Sequence, residues 1–344
     1  MLGPLWRLAR PLLFRMDAEE AHEQVIGALE RWPRLSKALL GALAGPPDPS
    51  LACAVGPLRV AGPIGLAAGL DKDGRALSVW PALGFGFVEV GTVTPRAQAG
   101  NPPPRLFRLP QSGALINRMG FNNGGAVALA ARMAALREAG GWPSVPVGAN
   151  IGRNKDTPNT AAERDYLDCV VALTAQVDWF TVNVSSPNTP DLRALQAPDR
   201  LRGLLMEVCG AARPRPVFLK LAPDLSASEM AESVEVAIEA GCAGVIATNT
   251  TLSRPGDTGS SGEAGGLSGA PLWPLAQERI GDALRQAAGR IAVIGVGGVH
   301  RPDQAEALLA MGCAAVQLYS GLIFEGPALP GLLNAALAKK RIAG

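Results

Sequence analysis

The sequence predicts an α/β protein of the (β/α)8 TIM-barrel class with an N-terminal helical extension. Three observations predict it. Short apolar runs recur eight times, each ending in glycine or polar residues. Between most of them lie Ala/Leu/Glu/Arg-rich stretches with helical spacing. From about Ala61 to the C-terminus roughly 280 residues remain, close to the ~250 typical of that fold.

In chain order the strand candidates begin with Gly65–Leu70, before Asp71-Lys72-Asp73-Gly74; Phe87–Val90, before Gly91-Thr92-Val93-Thr94; and Val145–Ala149, before Asn150-Ile151-Gly152. Trp179–Val184 runs into Ser185-Ser186-Pro187-Asn188-Thr189-Pro190, and Val217–Leu219 ends at Lys220. Val245–Ala247 leads to Thr248-Asn249-Thr250, Ile291–Ile294 to Gly295-Val296-Gly297-Gly298, and Ala315–Leu318 to Tyr319-Ser320-Gly321. Helices are predicted over Leu192–Cys209, Ser228–Ala240, Trp273–Ala288 and Pro302–Met311. Such a barrel brings the polar strand ends to one face, where barrel enzymes place their chemistry.

The 344 residues are 48% hydrophobic and 18% charged, enough apolar content to bury a full core, and a formal charge of +2 argues against nucleic-acid binding by bulk electrostatics. Glycines and prolines are spread between periodic segments, marking turns rather than disorder. Cys53, Cys169, Cys209, Cys242 and Cys313 have no Cys-x-x-Cys spacing, so no disulfide framework or iron–sulfur site is expected, and the compartment is expected to be reducing. With His22 and His300 as the two histidines, no catalytic metal is expected. Redox chemistry would need an organic cofactor.

Asn183 and Asn188 put two carboxamides beside the Ser186 hydroxyl where a hydrophobic strand must end. Carboxamides donate and accept together, which suits the amide and imide edges of a pyrimidine, and Ser186 is the nearby group able to move a proton. The competing reading is a Ser-Pro turn with Asx caps. The glycines at 295–298 and the Tyr319-Ser320-Gly321 turn fall at the last two strand ends, where barrels commonly bind phosphate, although glycine also simply permits tight turns. The glycine spacing is not the G-x-G-x-x-G dinucleotide pattern, so a mononucleotide such as FMN fits better than NAD. Lys220 would then face the flavin ring and stabilise the charge that reduction adds; alternatively it is a snorkelling strand-end lysine. Lys72 has the same ambiguity, as an exposed charged turn.

The motifs Ala67 to Gly74, Gly91 to Pro95, Ile116 to Asn123, Asn183 to Pro190, Ala247 to Thr251, Gly265 to Gly269 and Gly295 to Gly298, in that order along essentially the whole chain, resemble those of dihydroorotate dehydrogenases. Ser186 stands where the quinone-linked class carries a serine base and the soluble class a cysteine. The resemblance implies oxidation of (S)-dihydroorotate to orotate in pyrimidine synthesis, through FMN to a membrane quinone. It implies FMN contacts at Ala68, Gly69, Leu70, Asp71, Lys72, Thr92, Asn150, Asn183, Lys220, Thr248, Gly269, Gly298, Tyr319 and Ser320. It implies orotate contacts at Lys72, Asn117, Arg118, Met119, Gly120, Phe121, Asn183, Asn188, Asn249 and Thr250, with Ser186 catalytic and Thr189 with a water as its proton exit.

Residues 1–45 lie outside the barrel pattern, which occupies 46–344. Residues 4–16 set Leu5, Trp6, Leu8, Leu12, Leu13, Phe14 and Met16 among Arg7, Arg10 and Arg15 without an acid. A second helix is expected from Asp17, with Glu20 completing a capping box, and Pro33 interrupts before Leu35–Leu43. No apolar run reaches the ~18 residues that span a bilayer. A basic, Trp-containing amphipathic segment reads as an interfacial anchor; a targeting peptide and an ordinary packing helix compete. In the quinone-linked family this extension resembles a lid over an apolar tunnel, with His22 and Arg108 carried over to its inner end, although His22 would also suit a half-buried helix and Arg108 a surface ion pair. A peripheral protein on the cytoplasmic face of the inner membrane is expected. The segment Gly256 to Gly269 and the loop Ser186 to Arg193 are the candidate moving parts. The rivals are a soluble-class dihydroorotate dehydrogenase using fumarate or NAD, a non-redox phosphate-binding barrel isomerase or synthase, and a membrane-surface scaffold.

Overall fold

The computed structural model describes residues 3–343, apart from the side chains of residues 3–5, 259–260 and 342–343; the Leu5 side chain and the outermost residues of the predicted 1–45 and 46–344 segments therefore lie outside the described residues. Numbering strands in chain order, β1 (Cys53–Val55) and β2 (Leu58–Val60) form an antiparallel hairpin. Eight parallel strands then close a barrel: β3 (Ile64–Leu66), β4 (Phe87–Val93), β7 (Val147–Ile151), β8 (Trp179–Asn183), β9 (Val217–Leu221), β10 (Gly244–Ala247), β12 (Ala292–Val296) and β13 (Ala315–Leu318), which pairs back onto β3.

All eight coincide with predicted runs, with shifted ends. The first stops at Leu66 rather than Leu70, and the turn beyond it includes Gly69 at φ +105°. β4 and β9 run further than predicted because ladder pairing continues through the polar residues, for example Gly91 opposite Asn150 and Asn183 opposite Lys220.

The barrel interior is filled by pairing glycine on one strand with an aromatic on the next. A Cβ at Gly65 would lie 2.2 Å from the Phe87 ring, and one at Gly148 1.9 Å from Trp179. Phe87 and Trp179 then meet edge to face at 6.1 Å. Overpacking such positions typically costs about 1–3 kcal/mol. Val55 and Val60 of the hairpin join the same buried cluster, closing the end opposite the site.

Outside the barrel lie α4 (Ala126–Glu138), α5 (Ala162–Leu173), α6 (Pro198–Ala212), α7 (Ala227–Glu239), α8 (Trp273–Ala287), α9 (Pro302–Ala310), α10 (Ser320–Glu325) and α11 (Leu329–Ala343). The predicted helix Leu192–Cys209 is corrected: a 3-10 turn, Leu192–Gln196, precedes α6, because Pro198 forces Ala197 into an extended conformation and supplies the first residue of the helix. A three-stranded antiparallel sheet, β5 (Leu106–Leu109), β6 (Ala114–Asn117) and β11 (Gly266–Gly269), was not predicted, and it makes the last part of the glycine-rich 256–269 segment a strand.

The N-terminal extension folds as α1 (Gly3–Leu13), α2 (Ala18–Arg31) and α3 (Pro33–Gly41). Asp17 caps α2, accepting from the Glu19 and Glu20 amides at 2.9 and 3.1 Å. The predicted reciprocal half of a capping box is not formed; the Glu20 carboxylate accepts from Gln24 at 3.3 Å. Trp6 Nε1 and Arg10 Nη1 donate to the Phe324 carbonyl at 3.0 and 3.1 Å, docking α1 on α10. α2 is tied to the barrel by Arg75 with Glu23 and Glu30, and by Arg132 with Glu30, each at 2.7 Å. Leu8, Leu12, Trp32, Leu35 and Leu39 are left exposed. Among the described residues no helix is long and apolar enough to cross a membrane.

Candidate active site

The carboxyl ends of the strands open into a cavity with about 1000 Å³ of empty space. Its floor is a polar network of a kind the low dielectric of a barrel interior demands be satisfied. Asn183 Nδ2 donates to Thr92 Oγ1 and Asn150 Oδ1 at 2.9 and 3.0 Å. Thr92 donates to Asn150 Oδ1 at 2.5 Å, and Asn150 donates to Glu89 at 2.7 Å. Gln317 donates to the other Glu89 oxygen, while its own Oε1 is buried without a partner. Lys220 lines the cavity nearby; burial pulls its pKa below the usual lysine value, and Glu89 opposes that shift. The snorkelling alternative does not apply, since Lys220 is buried.

Lys72, which also lines the cavity, is half-buried rather than part of an exposed charged turn, and it donates to Asn122 Oδ1 at 2.8 Å. Burial lowers its pKa to about 8, partly offset by Glu19. Asn188 donates to Asn117 Oδ1 at 3.1 Å, and Asn249 donates to Ser185 Oγ at 2.9 Å. The loop Met119 to Phe121 borders the cavity, with Phe121 at φ +55°, an uncommon conformation for a bulky residue. Ser186 lines the same space; it is 6% exposed, and its Oγ accepts from the Asn188 amide at 3.2 Å. Thr189 Oγ1 is buried without a partner. The far end of the 186–193 loop is pinned by Arg193, which donates to the Ser185 carbonyl at 3.0 Å and to Asp224 at 2.9 Å.

Of the sequence-predicted residues, Ala68, Gly69, Lys72, Thr92, Asn117, Met119, Gly120, Phe121, Asn183, Ser186, Asn188, Lys220, Thr248, Asn249, Thr250, Tyr319 and Ser320 line this cavity. Six do not, for physical reasons. Leu70 faces a second, apolar cavity. The Asp71 carboxylate is consumed by the Arg75 and Ala76 amides and by Trp80 Nε1, at 2.7, 2.9 and 2.9 Å. Asn150 lies one layer down, in the network beneath Thr92 and Asn183. Gly269 and Gly298 pack against backbone, where a Cβ would lie 2.3 Å from the Gly113 carbonyl oxygen and 2.6 Å from the Trp273 nitrogen. Arg118 turns outward to Glu263 at 2.6 Å and covers the Phe107 ring.

Sequence reasoning gave no site role to Ser268, Val299 and Gln317, which also line the cavity, as do Gly297 and Gly321 of the two candidate phosphate loops. Gln317 had a signal, an amide inside an otherwise apolar strand. Ser268 Oγ lies 2.7 Å from Ser320 Oγ, and a Cβ on Gly321 would lie 2.2 Å from the Val299 carbonyl oxygen, so the last two loops pack at a distance that excludes side chains.

The second cavity, with about 1020 Å³ of empty space, lies under α1 and α2 and is lined by carbon-rich side chains including Phe14, Ile26, Leu29, Leu70 and Ile323. His22 and Arg108 are among its few polar groups, and Tyr319 lines both cavities. Burial, reinforced by the charge of Lys72, lowers the His22 pKa to about 4, so it is neutral near pH 7. Arg108 does not pair with a surface acid. Its guanidinium donates to the Leu13 carbonyl at 2.8 Å and to the Met16 carbonyl, and sits 4.8 Å from the Phe14 ring centre, closing the α1–α2 turn.

A closed parallel barrel with lysines and carboxamides converging at its carboxyl mouth, beside an apolar cavity roofed by an added helical pair, defines a barrel enzyme that joins polar-substrate chemistry to an apolar partner. The family model described as dihydroorotate dehydrogenase matches residues 50–340, and the chain belongs to this family. It is 48% identical to dihydroorotate dehydrogenase (quinone) of Deinococcus radiodurans, over 97% of this chain and 95% of that one. It is 50% identical to the protein of that name from Salinispora arenicola, over 97% and 98%. The crystal structure of DHODH from Eimeria tenella in complex with ferulenol is similar with a TM-score of 0.86 at 34% identity, covering 95% of this chain and 92% of that one. The family is flavin-dependent.

Proposed function

We propose that this chain oxidises (S)-dihydroorotate to orotate in pyrimidine biosynthesis, with FMN as its flavin and a membrane quinone as final electron acceptor. The observation that carries the reading is the adjacency of the two cavities at Tyr319, one lined by Lys72 and four asparagines, the other mostly by carbon. A soluble-class enzyme or a non-redox barrel has no use for the second. The relatives named above are quinone enzymes.

The residues present fit a bound flavin. Gly297 and Gly321 line the cavity with backbone alone, which suits a phosphate, and the orphaned Gln317 oxygen suits a ring that brings its own N–H donor. Ala68, Gly69, Lys72, Thr92, Asn183, Lys220, Thr248, Tyr319 and Ser320 would hold it. When bound, it supplies the acceptor for the hydride that leaves C6 of dihydroorotate and passes the electrons to quinone. Lys220 places positive charge where reduction adds negative charge.

The substrate ring would lie among Lys72, Asn117, Asn188, Asn249 and Thr250, whose amides match its imide and amide edges. Ser186 would take the C5 proton. A neutral hydroxyl is a weak base and its strongly basic alkoxide is scarce near neutral pH, since water itself loses a proton only with a pKa of ~15.7. Asn117, Asn188 and Asn249, with Lys72, must therefore stabilise the enolate-like density that forms as the proton leaves. Thr189, with its buried unpaired hydroxyl, supports a relay through water away from Ser186.

Residues 1–45 would serve as the quinone-side extension, with His22 and Arg108 at its inner end. Exposed Leu8, Leu12, Trp32, Leu35 and Leu39, interleaved with exposed Arg7, Arg15, Arg31 and Arg34, suit peripheral attachment to an anionic bilayer surface, which we assign to the cytoplasmic face of the inner membrane.

The deciding experiment is a visible spectrum. The purified protein is expected to show flavin absorbance that bleaches on anaerobic addition of dihydroorotate; protein still colourless after reconstitution with excess FMN would end the reading. A pH dependence follows from Lys72. Burial favours its neutral form, so its charge is held below about pH 8 and lost above. Orotate affinity, read from the shift it causes in the flavin spectrum, should weaken by up to about tenfold per pH unit above that point. In Lys72→Arg the affinity should stay level over the same range, and a wild-type titration flat to about pH 9.5 would overturn this titration of Lys72.

A further inference from the structure

Glu19 lies on α2, in the extension, and lines neither cavity. Its carboxylate takes Arg105, with Nη2 at 2.6 Å and Nε at 3.0 Å from both oxygens. The pair is shielded, the two side chains being 11% (Arg105) and 19% (Glu19) exposed, unlike the more open pairs that Glu23 and Glu30 make from the same helix. A charge-assisted, forked contact of this kind fixes orientation as well as distance.

Arg105 passes that orientation on. Its Nη1 donates to the Asn101 and Ala99 carbonyls at 2.7 and 2.5 Å, and its own carbonyl accepts from the Arg118 amide at 2.8 Å. Asn101 then donates from Nδ2 to the Arg118 and Asn188 carbonyls at 2.9 and 3.2 Å, and from its amide to Met119 at 3.0 Å. Asn188 donates to Asn117 through its side chain and to Ser186 Oγ through its amide. Gly100 makes the junction tight, since a Cβ there would lie 2.4 Å from the Met119 carbonyl oxygen and 2.9 Å from Arg105 Nη1. An unbroken line of hydrogen bonds therefore runs from the helix roofing the apolar cavity to the hydroxyl in the polar one. Glu19 and Arg105 also act on Lys72 in opposite senses, Glu19 favouring its proton and Arg105 disfavouring it.

We propose that Glu19 and Arg105 are positioning residues for dihydroorotate oxidation: the docked α2 sets the Asn101 loop, and through it Asn117, Asn188 and Ser186, so that the quinone-side extension governs the substrate-side half-reaction. This rests on the functional reading above. Neither residue touches substrate; a small displacement of the groups that do is enough to slow the chemical step.

The test separates the half-reactions in the full-length flavoprotein. Anaerobic stopped-flow reduction by saturating dihydroorotate, without quinone, is compared in wild type, Glu19→Gln, Arg105→Lys and the control Glu23→Gln, a residue that also favours the Lys72 proton but whose partner Arg75 bonds to Glu30 and to Asp71 rather than to the Asn101 loop. Reduction should slow about tenfold in Glu19→Gln and Arg105→Lys and stay near wild type in Glu23→Gln. Reoxidation of the pre-reduced variants by a short-chain quinone should change less than twofold, roughly within the scatter of a conservative change. The double variant Glu19→Gln/Arg105→Lys should be no slower than the worse single one, as expected for links of one chain. Should Glu19→Gln fail to retain flavin, Arg105→Lys alone decides. Normal reduction with impaired reoxidation would make Glu19 a mere lid anchor and overturn the proposal. Wild-type protein that dihydroorotate does not reduce would overturn the functional reading and this proposal together, whereas equal reduction in all four proteins would overturn this proposal alone.

Discussion

Ser186→Ala is expected to slow reduction of the bound flavin by dihydroorotate by about 10²- to 10⁴-fold, the usual worth of a positioned general base. The side chain is nearly buried in the cavity, and its oxygen is aimed by the Asn188 amide rather than by an acid or imidazole. Among the described residues no charged group hydrogen-bonds to it, so its contribution depends on geometry and on what the surrounding amides do to C5. Alanine removes the oxygen, keeps the backbone and fills less space, so orotate affinity and flavin content should hardly change. Stopped-flow reduction separates these quantities, and a near-normal rate in the variant would make Ser186 a turn residue after all. Ser186→Cys should retain more activity than alanine, since a thiolate forms more readily than an alkoxide.

Removal of residues 1–43 is expected to abolish turnover with a quinone while leaving flavin bound. The truncation strips α1, α2 and α3 and with them Phe14, His22, Ile26, Leu29 and Leu40, one whole side of the apolar cavity. The flavin-side residues all come from barrel strand ends and loops beyond position 66. Trp80 and Leu83 would be uncovered, so the measurement belongs in mild detergent, with flavin-to-protein absorbance as the check on integrity. Reduction by dihydroorotate should persist at the lower rate expected when Arg105 loses Glu19. Unchanged quinone turnover would remove the extension from electron transfer.

The barrel was legible because its strands are buried on both sides and bounded by polar or glycine stops, a pattern that survives in one dimension. The three-stranded sheet over the mouth was not. Leu106–Leu109 and Ala114–Asn117 are too short to show a period, and their partner Gly266–Gly269 lies about 150 residues away and reads as a flexible glycine stretch. Arg118 and Asp71 show the same limit at the site. Each sits inside a recognisable motif, yet Arg118 is drawn outward by Glu263 and Asp71 inward by the Trp80 indole, partners that spacing cannot reveal. Arg108 belongs to this group too, since its partners are backbone carbonyls that any residue offers.

By itself the sequence determined the order of the eight barrel strands and of four helices between them, the convergence of Lys72, Asn183, Ser186, Lys220 and Asn249 on one barrel mouth, and a basic amphipathic start too short in apolar runs to span a bilayer. Periodicity and strand-end chemistry are local properties, so local reading reaches them. Only the tertiary structure decided that Tyr319 is a wall shared by two cavities, that Gln317 leaves an unpaired oxygen at the floor, and that Glu19 reaches the substrate loop through Arg105. Those facts depend on which side chain wins each partner when distant segments pack, a competition settled by burial and hydrogen-bond geometry in three dimensions.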